Sequence, residues 1–247
     1  MAGLRWGCIM RISTDLLMLT AAEKKLISAA AADAEAELRP QRNGQQPVIR
    51  AEVLRALCTG ARPKWPVKGR IRMVGGRVRG PHDLSGAHLT HALRFTRCVF
   101  EDRVDLTRAR ADMPVEWNGG QIGSLLADHF SSATDLVIRN ATVTGLVNLW
   151  SASVRGDIRL SDSQLSPQSG QAIRGDHLRV GGTLFLNGED FHARGEVCLR
   201  AARIDGQLNC RRAIFSNPSD LASLGGGSKT TSINSSASAC QTRCGNL

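Results

Sequence analysis

From Ile71 to Phe215 the chain carries apolar residues on an eleven-residue beat, and few folds can accept such a beat. Within each window they stand at offsets 1, 3, 6 and 8. Leu93, Phe95, Cys98 and Phe100 fill one window, Val147, Leu149, Ala152 and Val154 another, and Val197, Leu199, Ala202 and Ile204 a late one. Offsets 1 and 3 share one face of an extended segment, as do 6 and 8, because strand side chains alternate. Each window therefore reads as two short straight sides joined by corners. Two windows, about 22 residues, close one four-sided turn of a β-solenoid. The expected column has about six and a half coils and, at ~4.8 Å per coil, stands about 30 Å tall.

The remaining offsets fit this reading. Offset 6 is small (Gly76, Ala109, Gly120, Ala141, Ala152), which suits a crowded interior filled by larger residues at offsets 3 and 8. Offset 10 is often glycine (Gly80, Gly145, Gly156, Gly182, Gly206), read as corners that need unusual backbone angles. The window from Leu125 to Ser132 starts one residue early. Extra residues around Pro167 and Gly170 predict an outward loop. The beat would place Glu189 inside, so Asn187 to Asp190 are expected to bulge outward, away from the cost of burying a carboxylate.

Flanking segments divide the chain further. Residues 1–19 are too short and too broken by Arg5, Arg11 and Asp15 for a membrane span, and are expected to be frayed. Residues 20–60 are expected to form an α-helical cap over the exposed first coil. Its first helix spans 20–39, opened by the Thr20/Glu23 capping box and stopped by Pro40. Its second is opened by Pro47 and closed by Gly60. Residues 61–70 form a linker around Trp65, residues 71–217 the repeat domain, and residues 218–247 a Gly/Ser/Thr-rich tail expected to be disordered.

The small-x-large triplets Ala141-Thr-Val143, Ala152-Ser-Val154 and Ala202-Arg-Ile204 resemble pentapeptide-repeat proteins. That resemblance implies an all-β, right-handed four-sided β-helix, here with an N-terminal α-helical cap. Segments such as His177-Leu-Arg-Val-Gly-Gly-Thr-Leu-Phe-Leu186 are similar to an actinobacterial family of pentapeptide-repeat-like proteins, over roughly residues 19–217. Some members are labelled membrane-associated oxidoreductases and end in hydrophobic membrane segments, a segment this sequence lacks. The resemblance specifies a fold far more sharply than an activity.

The residues themselves point away from catalysis. Gly75-Gly76-Arg-Val-Arg-Gly80 has the wrong spacing for a dinucleotide loop, and Gly225-Gly-Gly-Ser-Lys229-Thr230 has Ser228 where a phosphate loop needs glycine. No catalytic residue, cofactor or metal ligand is assigned. Of six histidines, only His82 falls at an inward offset, where a backbone hydrogen bond is expected to satisfy it. The seven cysteines are scattered, which fits a reducing cytoplasm. Cys240 and Cys244 alone are a weak zinc signal.

Arginines are the more informative surface feature. If alternate windows stack, Arg72, Arg94 and Arg159 share one outward column, while His88, Arg110, Arg179 and Arg203 share another. With a net charge of +10, these columns make a candidate basic surface for an anionic membrane or nucleic acid. Imitation of DNA would need the opposite sign, and the absence of Tyr removes a stacking platform for single strands. The expected role is a non-catalytic scaffold for protein–protein or surface interaction, self-associating or binding a partner through the open C-terminal coil. The alternatives are a membrane-associated oxidoreductase, on the family label alone, and a peripheral binder of anionic lipid. The expected location is the cytoplasm, with peripheral membrane attachment as a variant.

Overall fold

The computed structural model describes residues 18–40, 44–168 and 170–216. Residues 1–17 and the 218–247 tail, with Cys240, Cys244 and the Gly225–Thr230 stretch, and the expectations that concern them, lie outside the described residues. The repeats wind into a four-walled β-solenoid of stacked parallel strands. Strand pairing follows the sequence beat. Leu93 lies beside Val115, Val115 beside Leu136, and Leu136 beside Ile158, so alternate windows stack. Offsets 1, 3, 6 and 8 point inward: Val147, Leu149, Ala152 and Val154 are each at most 1% exposed. Each such strand is too short to bury anything alone, and stacking makes one continuous apolar core from many small contributions.

Two long strands, Ala92–Asp105 and Val115–Leu126, run round three walls without a break, joining those walls into one sheet. The fourth wall is a separate six-stranded sheet, from His88–Leu89 through Arg110–Ala111, Ser131–Ser132, Ser153–Val154 and Arg179–Val180 to Arg203–Ile204. Extra residues are absorbed outside the core. Glu189 and Asp190 are exposed while Phe191, next in the chain, is buried, as expected from the cost of an interior carboxylate.

The corners differ from expectation in an instructive way. Left-handed backbone falls at offset 5, and non-glycine residues carry much of it: Arg97, Arg108, His129, Asn140, Ser151, Asp162, His177, Ala201 and Arg212. Among the offset-10 glycines Gly80 has φ +88°, but Gly145, Gly156, Gly182 and Gly206 keep negative-side or extended angles. Those four are small because the preceding coil presses on them. A Cβ at Gly156 would sit 2.1 Å from an Asp135 carboxylate oxygen, and one at Gly182 2.1 Å from Asp157. The same carboxylates form a ladder up this corner. Asp135 accepts the Asp157 amide at 2.8 Å, and Asp157 accepts the Thr183 amide at 2.7 Å. Crowding, rather than torsion, selects glycine there.

The cap also differs from the expected pair of helices. Helix α1 spans Ala21–Ala31, with the capping box of Thr20 and Glu23 formed in full. It stops well before Pro40, and strand β1 (Glu35–Glu37) follows. Strand β2 (Val48–Arg50) then precedes helix α2 (Ala51–Cys58), so Pro47 leads into a strand. β1 pairs with β3 (Arg70–Val74), and β2 with β4 (Arg77–Arg79). The cap is thus a partial first coil, with helices beside two strand walls. Ala36 and Ile49, both fully buried, continue the interior columns of Met73 and Val78. Glu23 fastens this unit: fully buried, it accepts Arg50 Nε at 2.8 Å, Arg50 Nη2 at 2.9 Å and the Arg50 amide at 3.1 Å.

Candidate functional site

The two arginine columns expected from the sequence both exist, yet their charges are handled differently. On the first wall the outward column runs Arg72, Arg94, Glu116, Val137, Arg159, Phe185 and Asn209. Its arginines are all matched. Arg72 donates to the Asp33 carbonyl and lies 3.7 Å from the Asp33 carboxylate. Arg94 grips Glu116 through two bonds of 2.8 and 3.2 Å. Arg159 pairs with Asp157 at 2.5 Å and lays its guanidinium 4.5 Å from the Phe185 ring centre. Partly exposed pairs of this kind add little stability, but they cancel the field that a distant anion would sense.

On the fourth wall the column is His88, Arg110, Ser131, Ser153, Arg179 and Arg203. Its early part is matched as well: Asp112 lies 2.6 Å from His88 Nε2 and 3.2 Å from Arg110 Nε. The bond from His88, then that from Arg110, holds the Asp112 carboxyl below its ordinary range. The late part is different. Among the described residues, the side chains of Arg179 and Arg203 have neither an ion pair nor a hydrogen bond. They stand in register on adjacent coils and, with His177 at the corner and Ala201 and Ala202, line a recess of about 240 Å³. Exposed Arg155 lies on the same wall.

The neighbouring acid is already occupied. Asp176, 5% exposed, accepts Arg200 Nε at 2.8 Å, Cys198 Sγ at 3.2 Å and Arg174 Nε at 3.4 Å. Burial pushes its carboxyl up, and the bonds from Arg200 and Cys198 outweigh that and hold it low. Burial raises the Cys198 thiol, which suits packing rather than nucleophilic chemistry. Sequence reasoning placed Arg179 and Arg203 together but treated His177 as ordinary surface. It missed the counter-charges Asp33, Glu116, Asp112 and Asp157. Glu116 was readable, since it stands 22 residues after Arg94 and so one coil above it.

The open end of the column is the second feature. Among the described residues no strand pairs beyond Glu196–Cys198, Arg203–Ile204, Leu208–Asn209 and Ile214–Ser216. Ile204, Leu208, Cys210, Ala213 and Phe215 hold interior offsets yet are only partly buried, and Ile214 is 53% exposed. A larger polar groove, about 560 Å³, lies at the corner between the first two walls, where Arg212 pairs with Glu189.

His82 is inward and fully buried, but the expected hydrogen bond is not made: neither ring nitrogen has a partner in bonding geometry. It packs against Phe95 and Phe100, with ring centres 6.5 and 5.9 Å away. Burial lowers its pKa to about 4, offset in part by the approach of the Ala51 backbone. Among the described residues no three His, Cys, Asp or Glu side chains converge as a metal site, and no helix is long and apolar enough to cross a membrane. No protein-family model matches the chain, and no curated protein or solved structure matches it either.

Proposed function

We propose that the chain is a non-catalytic repeat scaffold that joins a second copy of itself through its last coil. The four-walled coils are compatible with a pentapeptide-repeat-like protein, in which the column itself is the working part. One observation carries the reading: an interior sealed at its first coil is half open at its last, at Ile204, Leu208, Cys210 and Phe215. Strand edges that no described residue pairs surround that apolar patch, and such edges pair readily with other chains. A two-fold axis across the column would bring two last coils face to face, with their strands antiparallel, an isologous contact that closes on itself. Light scattering across a concentration series tests this. The expected result is a dimer that L208K/I214E converts to a folded monomer. A wild-type chain that stays monomeric at high concentration overturns it.

A further inference from the structure

We propose that the recess bordered by His177, Arg179 and Arg203 is a binding site for a phosphate monoester. This inference is independent of association through the last coil. The argument begins with pairing. Arg72, Arg94, Arg110, Arg159, Arg174 and Arg200 each have a carboxylate within salt-bridge distance. Among the described residues Arg179 and Arg203 have none, although the strand register sets them side by side. Like charges directly opposite on neighbouring strands repel, and a shared anion removes that cost.

The geometry selects the kind of anion. Two arginines and a histidine, all exposed, line one small recess. A carboxylate offers two oxygens and one charge, enough for a single fork. A phosphate monoester offers three peripheral oxygens and nearly two charges at neutral pH, enough for both forks and the ring. A diester, as in a nucleic-acid backbone, brings a single charge per group. Ala201 and Ala202, which complete the lining, are small, and a recess of about 240 Å³ leaves room for a tetrahedral group. Of the other charged groups here, Arg155 adds to the attraction and Asp205, two residues beyond Arg203, opposes it. Asp176, behind His177, is held by Arg200 and Arg174.

The test is titration of the full chain with inorganic phosphate and O-phosphoserine at constant ionic strength, with acetate as the comparison anion. Saturable one-to-one binding of both phosphates, with acetate much weaker, is expected. R179Q/R203Q should weaken it tenfold or more with an unchanged circular-dichroism spectrum. R79Q/R103Q removes two exposed arginines elsewhere and should change it less than twofold. Vesicles with and without phosphatidate separate the sources. Binding of the soluble ester alone marks a soluble ligand, and additional, tighter capture by phosphatidate vesicles marks a lipid headgroup. Either outcome supports the site. Equal weakening by both double variants, vesicle binding without saturable binding of the soluble ester, or no saturable phosphate binding up to about 10 mM overturns it.

Discussion

The two ends of the column are built from the same repeat and finished in opposite ways. At the first coil, Ile71, Met73 and Val78 are fully buried beneath Ala36, Leu38, Ile49, Leu54 and Leu57. At the last, Leu208, Cys210 and Phe215 hold equivalent offsets and are only partly buried. The repeat therefore makes walls without making ends. Sealing an end takes residues that obey different rules: helices α1 and α2, two short strands and a buried ion pair. Stability in such a column is nearly a sum over coils and their neighbours, so each end responds to its own chemistry.

Breaking the cap should have the largest effect. Glu23→Ala removes the carboxylate that accepts from the Thr20 amide and from the Arg50 amide and Nε. A loss of about 3–5 kcal/mol is expected in denaturant melts, with hydrogen exchange rising first in residues 20–80. A variant that unfolds from the last coil instead would reverse the comparison of the ends.

Acid should attack the capped end next. His82 is neutral and buried, with a folded pKa of about 4 against an ordinary 6.5. The unfolded chain takes up that proton first. Stability is therefore whole above pH 6.5, falls below it, and reaches its full loss near pH 4, about 3 kcal/mol in all. Arg55 nearby deepens the depression and Asp83 opposes it. Burial raises the Glu23 carboxyl, but bonds from Arg50 and Thr20 outweigh it and leave a net depression, so Glu23 adds a further loss as pH falls below its ordinary 4.5. His82→Leu should flatten the profile between pH 6.5 and 4.5, measured as the urea midpoint against pH.

Matched substitutions sharpen the comparison. Ile71→Val in the sealed coil should cost about 1 kcal/mol, and Ile204→Val in the open coil only a few tenths, because its methyl is partly wet already. The smallest expected change is a gain. Ala201 stands at φ +54°, where a Cβ is strained, so Ala201→Gly should stabilise the last coil by about 0.5 kcal/mol. Thermal melts of dilute, monomeric protein would resolve both.

How much of this was written in the sequence varies with the kind of force involved. The walls were legible because burial acts at every second residue and repeats. Leu149, Leu160 and Leu199, named only by their offset, are 1%, 1% and 3% exposed. The cap strands were not legible. Glu35–Glu37 has two exposed charges round one alanine, and it is extended because the edge of β3 lies beside it. Four of the five glycine corners have another cause than torsion, since what crowds them, a carboxylate at Gly156 and Gly182 and a backbone carbonyl at Gly145 and Gly206, comes from a residue one coil away. The candidate site was half legible. Stacking put Arg179 beside Arg203, but which arginines keep their charge depended on where the carboxylates landed.

Register survives the irregular segments. Gln164 pairs with His192 across 28 residues, where Thr142 pairs with Gln164 across 22. Both excursions, around Pro167 and at Asn187–Asp190, leave the wall and return to the same column. The solenoid behaves like shelving on a fixed upright. Its rungs keep their height whatever is hung between them, so new loops can be tried at a corner while every other surface residue stays where it was.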